Sequence, residues 1–83
     1  MRTITFLLLP GVHLMDLAGP AQVFYEAQQL GRLNIRVQYA ALDARVATAQ
    51  GLPLAPMLKL ENVDLGRDDY LCIPGVDFAA VER

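Results

Sequence analysis

Two short apolar runs that each stop at a Pro-Gly pair constrain the fold of this chain most strongly. Thr3–Leu9 precedes one such pair, and Tyr70–Ile73 precedes the other. Compact apolar runs bounded by turn residues predict strands that are buried on both faces, which is typical of parallel sheets. The composition agrees, because 54% of the residues are hydrophobic and only 19% are charged.

The segment after the first run predicts a helix. Residues 11–16 form a strand-to-helix turn, and Pro20 suits the first turn of a helix, where its missing N–H has no intrahelical partner. Gly31 is suited to end that helix. The apolar residues at helical spacing, which predict the buried face, are Val23, Phe24, Ala27 and Leu30.

The rest of the chain completes an α/β order. Residues 34–42 alternate apolar and polar and predict a second strand, which closes a βαβ unit. Residues 46–56 predict a small hairpin or extended excursion around Gln50-Gly51, and residues 58–65 a single helical turn. Residues 77–83 predict the first turns of another helix. We therefore expect residues 1–83 to be the N-terminal portion of one doubly wound, mostly parallel, flavodoxin-like α/β domain, truncated relative to the whole.

Charge and cysteine content exclude several classes of function. The formal net charge is −2 and the seven basic residues are scattered, so we expect no nucleic-acid contact from this segment. The single cysteine, Cys72, cannot form an internal disulfide, which favours a reducing, cytoplasmic location. No apolar run reaches the roughly 18 residues of a membrane span, and Pro10 and Gly11 interrupt the signal-like N-terminus.

The two Pro-Gly turns indicate where a binding site belongs. In open parallel sheets, ligands bind outside the carboxyl ends of the strands. His13, the only histidine, lies in the first of these turns, and a solvated loop histidine is the commoner alternative to a ligand contact. One His, one Cys and a distant Asp match no metal-ligand spacing, so we expect neither a metal nor a cofactor.

The order of these motifs resembles the N-terminal segment of the PfpI/ThiJ superfamily, which has the class I glutamine amidotransferase-like fold. The residues that carry the resemblance are Phe6 to Val12, Met15 to Pro20 with Val23-Phe24, and Asp69 to Gly75. Two branches of the superfamily are most similar: the isonitrile hydratases, and the ligand-sensing N-terminal domains of AraC-type transcription regulators.

The resemblance implies roles for particular residues. Asp16 matches the acidic residue that hydrogen-bonds the nucleophilic cysteine in catalytic branches, and Gly75 matches a glycine turn that helps to form an oxyanion site. The nucleophile would lie beyond residue 83, since Cys72 lies inside a strand and is expected to be a small buried hydrophobic residue. Catalytic members usually have Gly-Gly where this chain has Gly75-Val76, and a β-branched residue resists positive φ. This departure favours a sensing domain.

Asp16 has a second interpretation that rests on its position alone. A carboxylate in the first turn of a helix interacts favourably with free N–H groups and with the helix dipole. That role and a role in the site are compatible. The residues predicted to bind a ligand are Gly11, His13, Asp16, Gly75 and Val76; Asp16 is catalytic only if the protein is an enzyme.

Three functional hypotheses remain open. The favoured one is a regulatory domain of an AraC-type regulator that binds a small metabolite at the strand ends. The second is an isonitrile hydratase-like enzyme in which Asp16 works with a later cysteine. The third is an incomplete fold without activity. An open sheet edge and uncovered apolar faces also predict a homo-oligomer, most simply a dimer.

Overall fold

The computed structural model describes residues 1–31, 34–55 and 57–77, and these form a four-stranded sheet, one long helix and a small hairpin. The sheet order is β5-β2-β1-β6, with every pairing parallel, and β3 and β4 form the antiparallel hairpin. The elements are β1 (Arg2–Leu8), α1 (Leu14–Gln29), β2 (Ile35–Ala41), β3 (Val46–Ala47), β4 (Pro53–Leu54), β5 (Leu58–Lys59), a 3-10 turn (Leu60–Asn62) and β6 (Tyr70–Cys72).

Strand β1 lies in the middle of the sheet and is buried on both faces, as its apolar run predicts. Phe6 is 1% exposed and contacts the Phe24 ring of α1 edge-on, with the centroids 6.1 Å apart. Phe6 also stacks on Tyr39, its register partner on β2, at 5.7 Å. On the opposite face, Thr5 is fully buried, and its hydroxyl oxygen accepts a 2.8 Å hydrogen bond from the Gln38 amide. The predicted parallel α/β core is therefore confirmed.

The predicted start of the helix was wrong. Helix α1 begins at Leu14, so Pro20 is an interior residue that removes the usual hydrogen bond to the carbonyl of Asp16. The helix extends back because Leu17 and Ala21 continue the stripe that packs against the core with Phe24. That shift of face leaves Val23 66% exposed.

The end of the helix confirms one prediction and corrects another. Gly31 adopts φ +69°, a conformation that suits glycine, and its N–H donates to the Gln28 carbonyl. Leu30 was expected on the buried face but is 68% exposed. Helix α1 contains no fully buried residue, and its core-facing side chains, such as Leu17 and Phe24, are only partly buried.

The later elements follow the predictions with one addition. The hairpin β3–β4 is present around the Gln50-Gly51 turn, with Gly51 at φ +86°, and the expected helical turn is the 3-10 turn. Strand β5 was not predicted, because two residues paired with the end of β2 leave no periodic pattern. The helix expected over 77–83 falls outside the described residues from 78 onward. No helix in the described part of the chain is long and apolar enough to cross a membrane.

Asp69 connects the start of β6 to the start of β1. Its carboxylate accepts hydrogen bonds from the backbone N–H of Thr3 at 2.8 Å and of Gly66 at 2.7 Å. These two hydrogen bonds, that from Thr3 foremost, hold the pKa of Asp69 below its ordinary value, since they favour the charged form. Asp69 therefore positions the two parallel strands, at the end of the sheet opposite the Pro-Gly turns.

Candidate functional site

The loop after β1 is held between two segments that are distant in sequence. On one side, the His13 N–H donates to the Gly75 carbonyl at 2.9 Å and the Asp77 N–H donates to the Gly11 carbonyl at 2.8 Å. Val12 and Val76 therefore face each other in an antiparallel bridge, and Val12 is completely buried. The two Pro-Gly turns are thus joined directly through backbone hydrogen bonds.

The hairpin β3–β4 holds the same loop from the other side. The Gly11 N–H donates to the Ala47 carbonyl and the Ala49 N–H donates to the Val12 carbonyl, both at 2.9 Å. At the tip of the hairpin, the Gln50 side-chain oxygen accepts a 3.1 Å hydrogen bond from the Leu14 N–H. Gln50 therefore caps the N-terminus of α1. His13, the residue before the helix, makes no capping hydrogen bond with its own side chain.

Asp16 lies in the first turn of α1, over the turn that follows β6. A Cβ atom placed on Gly75 would lie 2.5 Å from Oδ2 of Asp16, so the carboxylate occupies the space that any other residue would fill. Gly75 does not adopt positive φ, and therefore glycine is needed here for room rather than for backbone conformation. The first turn of a helix also favours a negative charge at Asp16, so both interpretations of this residue are compatible with its position.

Asp16 and Gly75 line an open cleft of about 380 Å³ at the carboxyl ends of β1 and β6. Asp16 is the only charged residue among the described residues that line it. We call this feature the Asp16 cleft. Its other lining residues are Phe6, Met15, Pro20, Cys72, Ile73 and Pro74.

The predicted site residues divide into two groups. Asp16 and Gly75 line the cleft, whereas Gly11, His13 and Val76 form the backbone contacts beside it, with the Val76 side chain packed against the core. No described residue other than glycine has positive φ, so Val76 does not form a glycine-type turn. Whether these residues bind a ligand stays a prediction.

Sequence reasoning missed Cys72 as part of the cleft. The residue is half-buried rather than buried, and it lies beside Phe6 in the β1–β6 register. The signal was present in the period of two along β6, which places Tyr70 and Cys72 on the face of Phe6 and α1. Within residues 1–31, 34–55 and 57–77, no three His, Cys, Asp or Glu side chains are grouped as metal ligands would be.

Comparisons with known proteins show likeness in structure alone. No family model matches the sequence, and neither does any curated protein. The crystal structure of an AraC family transcriptional regulator from Pseudomonas putida has a TM-score of 0.80 and 22% identity over 94% of this chain and 49% of that one. A DJ-1 superfamily protein from Agrobacterium tumefaciens has a TM-score of 0.65 and 24% identity, over 92% of this chain and 38% of that one.

This chain therefore spans about half of the regulator and less than half of the second protein. At these identities the likeness concerns the fold, and it agrees with the order of elements and with the parallel sheet. The resemblance that the Pro-Gly turns and the Asp16 segment indicated is thus supported by tertiary structure. The chain has a mostly parallel α/β fold that is similar to the fold of these two solved structures.

Proposed function

We propose that this chain is part of the sensing domain of an AraC-type transcription regulator and binds a small metabolite in the Asp16 cleft. No bond is made or broken in this role. The DNA contact would be made by a separate helix-turn-helix domain, since residues 1–83 have a net charge of −2 and no basic cluster. The structural likeness to an AraC family regulator supports the proposal at the level of the fold.

One observation carries the proposal: a single carboxylate faces a cleft whose other lining side chains are uncharged. Asp16 is exposed, and its side chain makes no hydrogen bond within the described residues. Its oxygens are the polar atoms that we expect to bind the ligand. An ionised carboxylate only accepts hydrogen bonds. We therefore expect a ligand with N–H or O–H donors, or with a positive charge, and an apolar part that packs against the exposed side chains of Met15 and Ile73.

The same free carboxylate favours a second candidate, an isonitrile hydratase-like enzyme. In that case Asp16 would orient a cysteine nucleophile located beyond residue 83, and water would add to the isonitrile carbon to give an N-substituted formamide. The Gly75-Val76 sequence argues against this candidate, because it departs from the Gly-Gly pair of catalytic members. Hydration of a simple alkyl isonitrile by a longer protein containing this segment, and its loss in Asp16→Asn, would establish the enzyme.

The binding proposal is tested with three small probes of similar size. We expect ethylammonium and acetamide, but not acetate, to shift the amide NMR signals of Asp16 and Gly75 in isotopically labelled protein. Asp16→Asn should abolish the response to ethylammonium, since it removes the charge but keeps the shape. Asp64→Asn changes an exposed carboxylate that does not line the cleft and should leave the response intact. Equal responses to acetate and ethylammonium would contradict the proposal.

A further inference from the structure

The two walls of the Asp16 cleft are both attached to the loop after β1. Gly75, in the turn after β6, is bound to this loop because the His13 N–H donates to its carbonyl at 2.9 Å. Asp16 follows the loop directly in the chain, since α1 begins at Leu14. The position of Asp16 relative to Gly75 therefore depends on what holds residues 11–13 and the start of the helix.

The hairpin β3–β4 holds this loop in place. Val12 forms a parallel bridge with Thr48 of the hairpin, in addition to its antiparallel bridge with Val76. The short segments around Val76, Val12 and Thr48 thus form a small sheet, which we call the loop sheet, with Val12 in the middle. Val12 is 0% exposed and Thr48 is 5% exposed. The hairpin is therefore anchored to the loop by buried residues.

Thr48 also determines where the tip of the hairpin lies. Its hydroxyl donates to the Leu52 carbonyl at 2.8 Å and accepts from the Leu52 N–H at 3.0 Å. The Gly51 N–H donates to the Thr48 carbonyl at 3.0 Å. These hydrogen bonds close the tip around Gln50, whose side-chain oxygen accepts the 3.1 Å hydrogen bond from the Leu14 N–H. An exposed side chain is thus positioned by a buried anchor close to it in sequence.

The first turn of α1 has weakened hydrogen bonds of its own. The Leu17 N–H donates to the His13 carbonyl at 3.3 Å, longer than the usual range of about 2.7–3.2 Å. Pro20 has no N–H, so the usual hydrogen bond to the Asp16 carbonyl from the next turn is absent. The hydrogen bond to Gln50 therefore supports the turn that the helix itself holds least firmly.

We propose that Gln50 is a positioning residue for the Asp16 cleft, and that it keeps the first turn of α1, with the Asp16 carboxylate, against Gly75. The inference rests on the proposed binding role of the cleft. Leu14 and Asp16 belong to the same helical turn, so movement at the Leu14 N–H also displaces the carboxylate. By linkage, a ligand that needs Asp16 in this position also favours the bound hairpin. Occupancy of the cleft is thereby reported at the hairpin, across the loop sheet.

A double-mutant cycle without ligand tests the positioning. The methyl group of Gly75→Ala collides with the Asp16 carboxylate only while that carboxylate is held in place. We expect Gly75→Ala to lower the urea midpoint in wild type and to lower it less in Gln50→Met, which keeps the side-chain length but has no acceptor oxygen. Gln50→Glu retains an oxygen for the Leu14 N–H and should restore the full effect. Equal effects in all three backgrounds overturn the proposal.

Titration with acetamide, followed by the amide NMR signals of Asp16 and Gly75, tests the effect on the cleft. Acetamide is neutral, so the charge that Gln50→Glu adds does not attract it. We expect Gln50→Met to weaken binding roughly two- to five-fold, and Gln50→Glu to bind like wild type. Gln28→Met is the matched control, since the Gln28 amide donates to the Ile35 carbonyl at 2.8 Å near the other end of α1, and it should not weaken binding. Wild-type affinity in Gln50→Met overturns the proposal.

Hydrogen exchange measures the same coupling in the opposite direction. Saturating acetamide should slow exchange of the Gly51 and Leu52 amides, which close the hairpin tip, in wild type but not in Gln50→Met. The Gly66 amide, bonded to Asp69 at the opposite end of the sheet, should exchange at an unchanged rate. Unchanged hairpin exchange in protein that binds acetamide overturns the proposal. A wild-type protein that does not respond to acetamide contradicts the proposed function instead, and the ligand-free cycle then decides the role of Gln50.

Discussion

Oδ2 of Asp16 lies 2.5 Å from the position that a Cβ atom would take on Gly75. The contact joins the first turn of α1 to the turn after β6, across 59 residues of sequence (75 − 16). Gly75 has an ordinary backbone conformation, so the turn does not require glycine. Glycine is required because a side chain would collide with the Asp16 carboxylate. The glycine and the aspartate therefore form a single structural unit at the mouth of the cleft.

Gly75→Ala should disturb this unit without unfolding the protein. The new methyl group must push the Asp16 carboxylate aside, and since the side chain is exposed we expect a cost of about 1 kcal/mol or less in the free energy of unfolding. The cost should vanish in an Asp16→Ala background, where the methyl group meets nothing. Urea unfolding of the two single variants and the double variant measures this coupling. Equal costs in both backgrounds would show that the contact is unimportant.

Gln50→Ala should loosen the start of α1. The substitution removes the acceptor for the Leu14 N–H, and the loss of an N-terminal capping interaction typically costs about 1 kcal/mol. Hydrogen exchange at the Leu14 amide should accelerate more than exchange at the middle of the helix. Gln22→Ala is the matched control, since among residues 1–31, 34–55 and 57–77 the Gln22 side chain bonds only Glu26, on the exposed face of the same helix. Similar exchange rates in the two variants would contradict a capping role.

Asp69 should make stability depend on pH in the acid range. Its pKa is lowered from about 3.8 in the folded state, so the unfolded chain binds more protons between the two pKa values and stability falls as pH falls. The contribution of Asp69 is complete above its ordinary pKa and is lost as pH drops through the lowered one. The difference in urea midpoint between wild type and Asp69→Asn should be present at neutral pH and shrink below about pH 4. Asp64→Asn should show no such pH-dependent difference.

Phe6 should be the most sensitive core position. Truncation to alanine removes a ring that contacts both Phe24 and Tyr39, and Phe→Ala in a core costs about 3–5 kcal/mol. The total stability of a small domain is of the same order, so cooperative thermal unfolding should disappear. Tyr25→Ala, at a 53% exposed ring on α1, should change stability by no more than about 0.5 kcal/mol. A cooperative melt in Phe6→Ala would show that the core lies elsewhere.

Local sequence patterns predicted an element correctly where burial or backbone conformation alone determines it. The strands β1, β2 and β6 were predicted because apolar runs and alternation reflect burial directly, and Gly31 was predicted as a helix end because few residues other than glycine adopt its positive φ. The start of α1 was mispredicted because the prediction relied on a local preference alone. Pro20 favours a first turn locally, but the packing of Leu17 and Ala21 on the sheet outweighs the one hydrogen bond that proline removes.

The α/β order of elements follows from local sequence patterns, and these patterns also predict a site at the two Pro-Gly turns. Three further features arise from tertiary packing: Asp16 lies against Gly75, Gln50 caps α1, and Cys72 lines the same cleft. The first contact joins residues 59 positions apart (75 − 16), and the second joins residues 36 positions apart (50 − 14). Such contacts depend on how the strands are ordered and registered, and a local pattern of hydrophobicity or turn residues does not contain that information.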